Sequence, residues 1–430
     1  MAQTWQNSYE ELKKFIAANP AIEIDMSSVV ISGDVRPEFY KLFDTVRANF
    51  IKERFAPELE QAYALSAAYG ATSKAVKEEM HLEDIEINAN LNWFLLDPIN
   101  GMMRVLFDPL FDLLKGKTDL SGFTGVSHAA VSESFKTLFR EGYERWGALA
   151  LLSLLSPDRL WLGKTHDFYT DPSMEGDIIE GNRDDFVPDP VDSKKLVFDN
   201  LVRASFVVPG ALIHSARLNS YVSLRPRWYL PRWKARMWSE HLDWLETKRL
   251  YREFGTGNLW PDMMIHMADE HPEDLKLVAD YYRIARPEII IEFMEEDDWY
   301  DAKRVEDIMR HNMVLTPRLG SYVISRVAVP PEAFKPLEAL PLAVPVPAPA
   351  ETVKEVSAGT AAASVETVPP PPPPMARPLS LAELPAGIHV INVGYDISKL
   401  EPVIDALTQA AAIIKENRMK ELESGQNSNG

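Results

Sequence analysis

Five carboxylates stand within residues 293–301, FMEEDDWYD, and three of them follow the spacing DDxxD. A second acidic cluster, DDFVPD, lies at residues 184–189. Two such clusters could hold magnesium ions, which would bind a diphosphate and help it leave. Asp297 and Asp298 equally suit the start of a helix near Tyr300, where carboxylates favour the positive end of the helix dipole. The pattern therefore supports two interpretations, a metal site and a helix start.

The nonapeptide resembles the FQxxDDxxD motif of prenyl diphosphate synthases, with Met294 standing where that family has glutamine. The resemblance implies a magnesium-dependent enzyme acting on a phosphorylated or diphosphate substrate. It implies these metal ligands: Asp297, Asp298, Asp301, Asp184, Asp185 and Asp189. Pro188 and Pro190 interrupt the helix that should carry the first cluster. This departure leaves open whether the protein is an enzyme, and outside this alternative we expect no cofactor.

Residues 217–236, RLNSYVSLRPRWYLPRWKAR, hold six basic residues and no acid in a chain of net charge −19. Guanidinium and indole groups together suit phosphates, nucleotides, single-stranded nucleic acid or an acidic protein surface. The residues expected to bind an anionic partner are Arg225, Arg227, Arg232, Lys234, Arg236, Trp228 and Trp233. Alternatively, the arginine stems cover aromatic core while their heads pair with the acids at 295–298. The sequence leaves both interpretations open.

A proline-rich stretch divides the chain. Residues 330–378 contain 14 of the 32 prolines, six of them in a row at 369–374. Such a composition cannot bury a core and predicts a semi-rigid, extended spacer. We therefore expect a globular body (1–329), a linker (330–378) and a small C-terminal element (379–430).

The body is predicted to be mainly helical. Asp34 is expected to cap a helix that opens at Pro37, because a proline in the first turn lacks only an unneeded N–H. Apolar residues then recur at helical spacing from Phe39 to Phe50 and again from Phe135 to Leu155. The predicted fold class is mainly α, a multi-helical main domain with a minor α/β portion.

The α/β portion is expected near the end of the body. Residues 289–291 and 322–324 are β-branched or aromatic clusters of strand length, and a helical stretch, 300–311, separates them. These three segments predict a β-α-β unit. Pro287 could instead begin a helix that runs through the isoleucines.

The C-terminal element reads as one strand and one helix. Its expected docking residues are Ile388, Val390, Ile391 and Val393 on the strand, and Leu400, Ile404 and Leu407 on the helix. So small a unit cannot fold alone, and the strand's backbone groups need a partner edge. That edge belongs either to the chain's own body or to a second chain. The long tether favours a second chain.

Composition narrows the class of protein. The absence of cysteine excludes disulfides, thiolate nucleophiles and cysteine-bound metals. No secretory signal is visible, and no apolar run is long enough to span a bilayer, so we expect a soluble, cytoplasmic protein. The combined prediction is an interaction or assembly subunit. It would dock on a partner chain through residues 380–430 and present a basic-aromatic surface, 217–236, to an anionic partner.

Overall fold

A computed structural model describes most of the body and the C-terminal element. The described residues are 4–163, 179–181, 190–197, 211–226, 233–247, 250, 261–301, 304–329 and 387–427. Among them the helices are α1 (Trp5–Ala18), α2 (Arg36–Arg54), α3 (Ala56–Glu79), α4 (Ala89–Leu96), α5 (Pro98–Met103), α6 (Phe107–Leu114), α7 (Leu120–Leu154), α8 (Arg304–Leu315) and α9 (Glu401–Asn427). Mainly helical structure with an α/β portion is therefore confirmed.

The strands form one large sheet and four small ones. The eight-stranded sheet contains β4 (Pro157–Gly163), β6 (Pro190–Asp192), β8 (Ala211–Ser215), β9 (Ser220–Pro226), β12 (Met263–Ala268), β14 (Ile289–Met294), β15 (Ser321–Ser325) and β16 (Ile388–Asn392). The two-stranded sheets pair β1 (Ile22–Ile24) with β2 (Val29–Ile31), β3 (Asp84–Glu86) with β7 (Lys195–Val197), β5 (Ile179–Gly181) with β10 (Trp233–Ala235), and β11 (Trp244–Glu246) with β13 (Arg283–Ala285).

Local chemistry sets the ends of several helices. The Thr4 side chain accepts a hydrogen bond from the Asn7 N–H at the start of α1, and Asp119 does the same for Gly122 at the start of α7. At α2 the expected Asp34 cap is wrong, because the helix begins at Arg36 and Val35 takes the cap position without a side-chain bond. Phe39, Phe43, Val46 and Phe50 of α2 are buried, as the periodicity predicts.

The large sheet runs in the order β16-β15-β14-β12-β9-β8-β4-β6. Strands β14, β15 and β16 are parallel to one another, and every other neighbouring pair is antiparallel. The predicted β-α-β unit is confirmed as β14-α8-β15, with the isoleucines of β14 in a strand. A helix starting at Pro287 is therefore wrong. The sheet is also larger than expected, because the segment interpreted as a basic surface (217–236) contributes strand β9 to it.

The two faces of the sheet are covered by different elements. Ile289, Ile291 and Phe293 of β14 pack into the core of the helical layer, and we call this the helix-covered face. Residues 290, 292 and 294 point the other way, because side chains alternate along a strand. On this second face, Ile290 packs with residues of α8 and β13, and Met294 packs with α8.

The long helix α7 approaches the sheet unusually closely. A Cβ atom on Gly147 would lie 2.1 Å from Cε1 of Phe293, so only glycine fits at this position. Gly142 lies about one and a half turns earlier in α7 and is similarly crowded. A Cβ atom there would lie 2.8 Å from Cδ2 of Leu65 in α3. The two glycines let α7 fit between the helical layer and β14.

The C-terminal element joins the body of its own chain. Strand β16 pairs in parallel with β15, placing Val390 opposite Val323. Leu400, at the end of a short 3₁₀ helix just before α9, and Ile404 and Leu407 of α9 are fully buried in the core of the helical layer. The sheet edge used by this element is thus the chain's own, whereas the tether length had favoured a second chain. Within the described residues, no helix is both long and apolar enough to cross a membrane.

Candidate functional site

The residues expected to dock on a partner fall into two groups in the structure. Val393, Leu400 and the two α9 residues Ile404 and Leu407 are buried inside the chain. Ile388, Val390 and Ile391 of β16 are only partly buried, because β16 is the last strand of the sheet. The strand, rather than the helix, therefore remains open to a partner.

The backbone of β16 faces two directions in alternation. The Ser321 N–H donates to the Gly387 carbonyl at 2.7 Å, and the Val393 N–H donates to the Ser325 carbonyl at 2.9 Å. Odd-numbered residues of this strand thus bond to β15. By the alternation of a parallel ladder, the N–H and C=O groups of Ile388, Val390 and Asn392 point outward, and no described strand pairs with them.

The opposite edge of the sheet differs in chemistry. Strand β6 has three residues, begins at Pro190 and ends at Asp192. Short length, proline and charge are the devices that block pairing at a sheet edge. Strand β16 has five residues, IHVIN, with neither proline nor a carboxylate or lysine. The β16 edge therefore lacks the protection that β6 carries.

The basic-aromatic segment is distributed over several environments. Arg225 lies on β9 and is only 3% exposed. Lys234 lies on β10, with its Nζ atom 4.7 Å from the centre of the Tyr282 ring, and Arg236 is exposed. Trp233 begins β10. Arg227, Trp228 and Arg232 lie outside the described residues.

Arg225 belongs to a small group of polar residues on the second face of the sheet, which we call the polar trio: Ser223, Arg225 and His266. In the β9–β12 register, His266 stands directly opposite Ser223, and Arg225 stands two positions along from Ser223. Ser223 and His266 are completely buried. Among the described residues, no partner bonds to Ser223 Oγ, to His266 Nδ1 or to Nε and Nη1 of Arg225.

The DDxxD carboxylates lie in the turn between β14 and α8. Asp297 forms an ion pair with Arg326, and both Asp297 and Asp298 have exposed side chains. A short 3₁₀ helix, Trp299–Asp301, follows Asp297 and Asp298 and contains the third acid, Asp301. Asp297 and Asp298 therefore precede helical structure, in the position that the helix-start interpretation predicts.

The first acidic cluster, Asp184, Asp185 and Asp189, lies outside the described residues. In the part of the chain that the structure does describe, no three acidic or histidine side chains are grouped so that they could hold a metal ion. The magnesium alternative remains a prediction from sequence.

A buried network of charged residues braces the sheet against the helices. Arg140 of α7 donates to Asp262 at 3.1 Å, and the Phe293 N–H of β14 donates to the other Asp262 oxygen at 2.8 Å. His311 of α8 lies 2.6 Å from Glu292 through Nδ1. Burial lowers the pKa of His311, but the Glu292 carboxylate outweighs this effect and the pKa is raised overall. The network joins α7, α8 and β14 to Asp262, the residue just before β12.

Glu295 lies just past the carboxyl end of β14, within the electrostatic influence of Arg140 and Asp262. Its side chain is 3% exposed, and Oε1 accepts no hydrogen bond from the described residues. Burial raises the pKa of Glu295 to about 7. This carboxyl group therefore titrates near neutral pH.

A surface groove of about 610 Å³ lies elsewhere, on the helical layer. Its lining includes Arg36 and Tyr40 of α2 together with Phe107 and Lys115. None of the residues singled out from the sequence lines this groove.

Sequence reasoning missed Ser223, His266 and Arg326, and it treated Glu295 only as one of the acids at 295–298. Arg326 follows a strand that was predicted, so its position at the carboxyl edge of the sheet could have been inferred. Ser223 and His266 gave no such signal, because a buried polar residue on a strand looks like an exposed one until the strand is placed in the centre of a sheet.

No family model, no curated protein and no solved structure matches this chain.

Proposed function

We propose that this protein is an assembly subunit that holds a partner protein at the free edge of β16. The observation that supports the proposal is the outer edge of this strand, formed by the backbone of Ile388, Val390 and Asn392, with which no described strand pairs. An extended segment of a partner can add to such an edge as a further strand, with main-chain hydrogen bonds supplying affinity.

The side chains around the edge suit the same role. Ile388 and Val390 are partly buried against an apolar cluster that includes Val323, Trp299 and Ile308. A partner strand placed beside β16 would set its own alternate side chains next to this cluster. The expected partner segment is therefore extended, with apolar residues at every second position.

The connection that leads to β16 is much longer than the fold requires. Two parallel neighbouring strands need a crossover of about a dozen residues. Residues 326–387 join β15 to β16 here, and they include the proline-rich linker, 330–378. A connection longer than the parallel pairing requires supports a role in assembly, because a long linker lets a docked element contact a distant partner. The predicted anionic partner of segment 217–236 remains a second, separate expectation.

Two proline substitutions on β16 separate partner binding from folding. The Val390 N–H points outward, so Val390→Pro removes a donor that a partner strand would use and that β15 does not use. The Ile391 N–H points towards β15, so Ile391→Pro breaks the sheet itself. Val390→Ala, which keeps the N–H, controls for the lost side chain.

The assay is capture of a partner by the tagged full-length chain, with cross-links mapped to residues. We expect Val390→Pro to unfold at nearly the same urea concentration as the parent and to lose the partner. Val390→Ala should retain most of it. Undiminished capture by a folded Val390→Pro chain, or cross-links that avoid residues 388–392, would contradict the proposal.

A further inference from the structure

The polar trio presents a chemical problem that the described residues do not solve. Buried polar groups in folded proteins almost always have hydrogen-bond partners, and exceptions point to an ordered water, an ion or a ligand. Here three neighbouring side chains, all at most 3% exposed, carry atoms that find no partner among the described residues. The trio is remote from the β16 edge and independent of the function proposed there.

Arg225 contributes a buried positive charge. Burial lowers the pKa of its guanidinium well below the usual range, and no described carboxylate acts against this effect. An arginine stays protonated at neutral pH all the same, because its pKa in water is above about 12. The buried acid Glu288 is bonded to Arg318 at 3.3 Å. A counter-charge for Arg225 is therefore missing from the described residues.

His266 contributes a hydrogen-bond acceptor. Its Nε2 atom lies 3.1 Å from the Ala285 carbonyl oxygen, which can only accept, so Nε2 carries the proton. Burial, together with the nearby Arg225 and Arg318 guanidinium groups, lowers the pKa of His266 to about 4, so the ring is neutral at neutral pH. Nδ1 then has a free lone pair that needs a donor.

The spacing of the trio suits one small ligand. Opposite residues on antiparallel strands have Cβ atoms about 4.5–5.5 Å apart, and diagonal ones about 7–8 Å. Ser223 and His266 are an opposite pair, and Arg225 is diagonal to His266. The ligand must present negative charge to Arg225 and a hydroxyl group to His266 Nδ1, with Ser223 Oγ able to donate or accept.

We infer that the polar trio binds a small hydroxyl-bearing oxyanion of the hydrogenphosphate type. Its charged oxygens accept from Arg225 and Ser223, and its P–OH group donates to His266 Nδ1. Sulfate has the same shape and charge but carries no proton at neutral pH, so it leaves Nδ1 without a donor. The site should therefore distinguish phosphate from sulfate.

Access to the site lies on the side away from the helical layer. The trio is on the second face of the sheet, where His266 contacts Ala285 of the β11–β13 pair. Each of these strands has only three residues. Two-stranded pairs of this size are marginally stable and open more readily than a central sheet. Opening of this layer would admit a small anion.

The test is a titration of the full-length protein with sodium phosphate and, separately, sodium sulfate at equal ionic strength and pH 7.5. Isothermal titration calorimetry gives the affinity, and thermal unfolding gives the stabilisation expected from binding to the folded state. We expect saturable phosphate binding, with sulfate weaker by about tenfold or more because one buried acceptor stays unsatisfied. Both salts also stabilise proteins by general exclusion, so only the saturable part counts.

Three variants locate the binding. Arg225→Met should abolish saturable phosphate binding, while the unliganded variant unfolds at the same or a higher urea concentration, because an uncompensated buried charge is gone. Ser223→Ala removes a hydroxyl that has no partner among the described residues, so it should fold normally and bind phosphate several-fold more weakly. Arg236→Met removes an exposed cation from the same segment and should bind phosphate like the parent.

Several results would overturn the inference. Absence of saturable phosphate binding would mean that water or the chain itself satisfies the trio. Equal affinity for sulfate, or equal loss in Arg236→Met, would mean non-specific charge screening. A large fall in the urea midpoint of unliganded Arg225→Met would show that the arginine already has a counter-charge within the chain. If Arg225→Met does not fold, undiminished phosphate binding by Ser223→Ala rejects the site.

Discussion

Two glycines at the junction of β15 and β16 provide a sharp test of how the C-terminal element joins its own chain. Gly320 precedes β15 with φ +90°, and Gly387 precedes β16 with φ +92°. A Cβ atom on Gly320 would lie 2.1 Å from the Gly387 carbonyl oxygen. A Cβ atom on Gly387 would approach nothing closer than Gly320 Cα, at 3.8 Å. The two positions share backbone strain, but only Gly320 adds a collision.

The expected magnitudes follow from this difference. A left-handed backbone conformation costs a residue with a Cβ atom about 1–2 kcal/mol, which is the whole effect expected for Gly387→Ala. Forcing an extra methyl group into a filled space typically adds about 1–3 kcal/mol. Gly320→Ala should therefore lower the free energy of unfolding by about 2–5 kcal/mol. Alternatively, the collision is relieved by release of β16 and α9, which exposes Leu400 and Leu407.

Urea unfolding of the full-length variants measures the first outcome, and amide hydrogen exchange in β16 and α9 measures the second. We expect Gly320→Ala to show either the larger loss of stability or faster exchange throughout the C-terminal element, with Gly387→Ala close to the parent in exchange. Equal stability of the two variants, with unchanged protection in β16, would refute the parallel pairing of β15 with β16.

Three further predictions concern the core, the acidic turn and Glu295. Ile404→Ala should lower the free energy of unfolding by about 2–5 kcal/mol, because Ile404 is fully buried. Ile413 lies in the same helix but is 40% exposed, so Ile413→Ala should change the free energy of unfolding little in the same urea titration. Magnesium titration followed by calorimetry should give no saturable heat from the DDxxD carboxylates, because Asp297 is paired with Arg326. Saturable magnesium binding that Asp298→Ala abolishes would favour the diphosphate alternative. With its pKa raised to about 7, folded Glu295 keeps a proton that the unfolded chain has lost between about pH 4.5 and 7, so stability falls as pH rises through this window. Glu295→Gln should remove this slope and gain up to about 3 kcal/mol over the parent between pH 4 and pH 8; parallel stability–pH curves would contradict the shift.

The elements that the sequence predicted well are those whose local pattern agrees with their place in the fold. The β-branched run at 289–291 is strand β14, and the periodic face beginning at Phe39 is the buried face of α2. The strand and helix of the C-terminal element also lie where the pattern predicts them. In each case, the spacing of apolar residues along the sequence indicates which side of the element is buried.

Strand β9 shows why the rest was missed. Its apolar residues Val222 and Leu224 face the helix-covered side, while Ser223 and Arg225 face the second side. Alternation of this kind ordinarily means that one side faces water. Here both sides are covered, and no local signal distinguishes a buried arginine from an exposed one.

The local sequence pattern also could not predict which strand pairs with β16. A strand's own residues show that it needs a neighbouring edge but not which edge is supplied. Linker length argued for a second chain, yet Gly320 and Gly387 allow the backbones of β15 and β16 to approach within one chain. Long connections raise the entropy of closure only slowly, so a long linker does not prevent docking within one chain.

Residue-resolved amide exchange along β16, in the free chain and with the captured partner, tests the proposed function most directly. In the free chain the account predicts slow exchange at His389 and Ile391, whose N–H groups face β15, and fast exchange at Val390 and Asn392, whose N–H groups face outward. Partner binding should then slow Val390 and Asn392 and leave the other two unchanged. Protection of all four amides in the free chain, or partner binding that leaves Val390 and Asn392 fast, would contradict it.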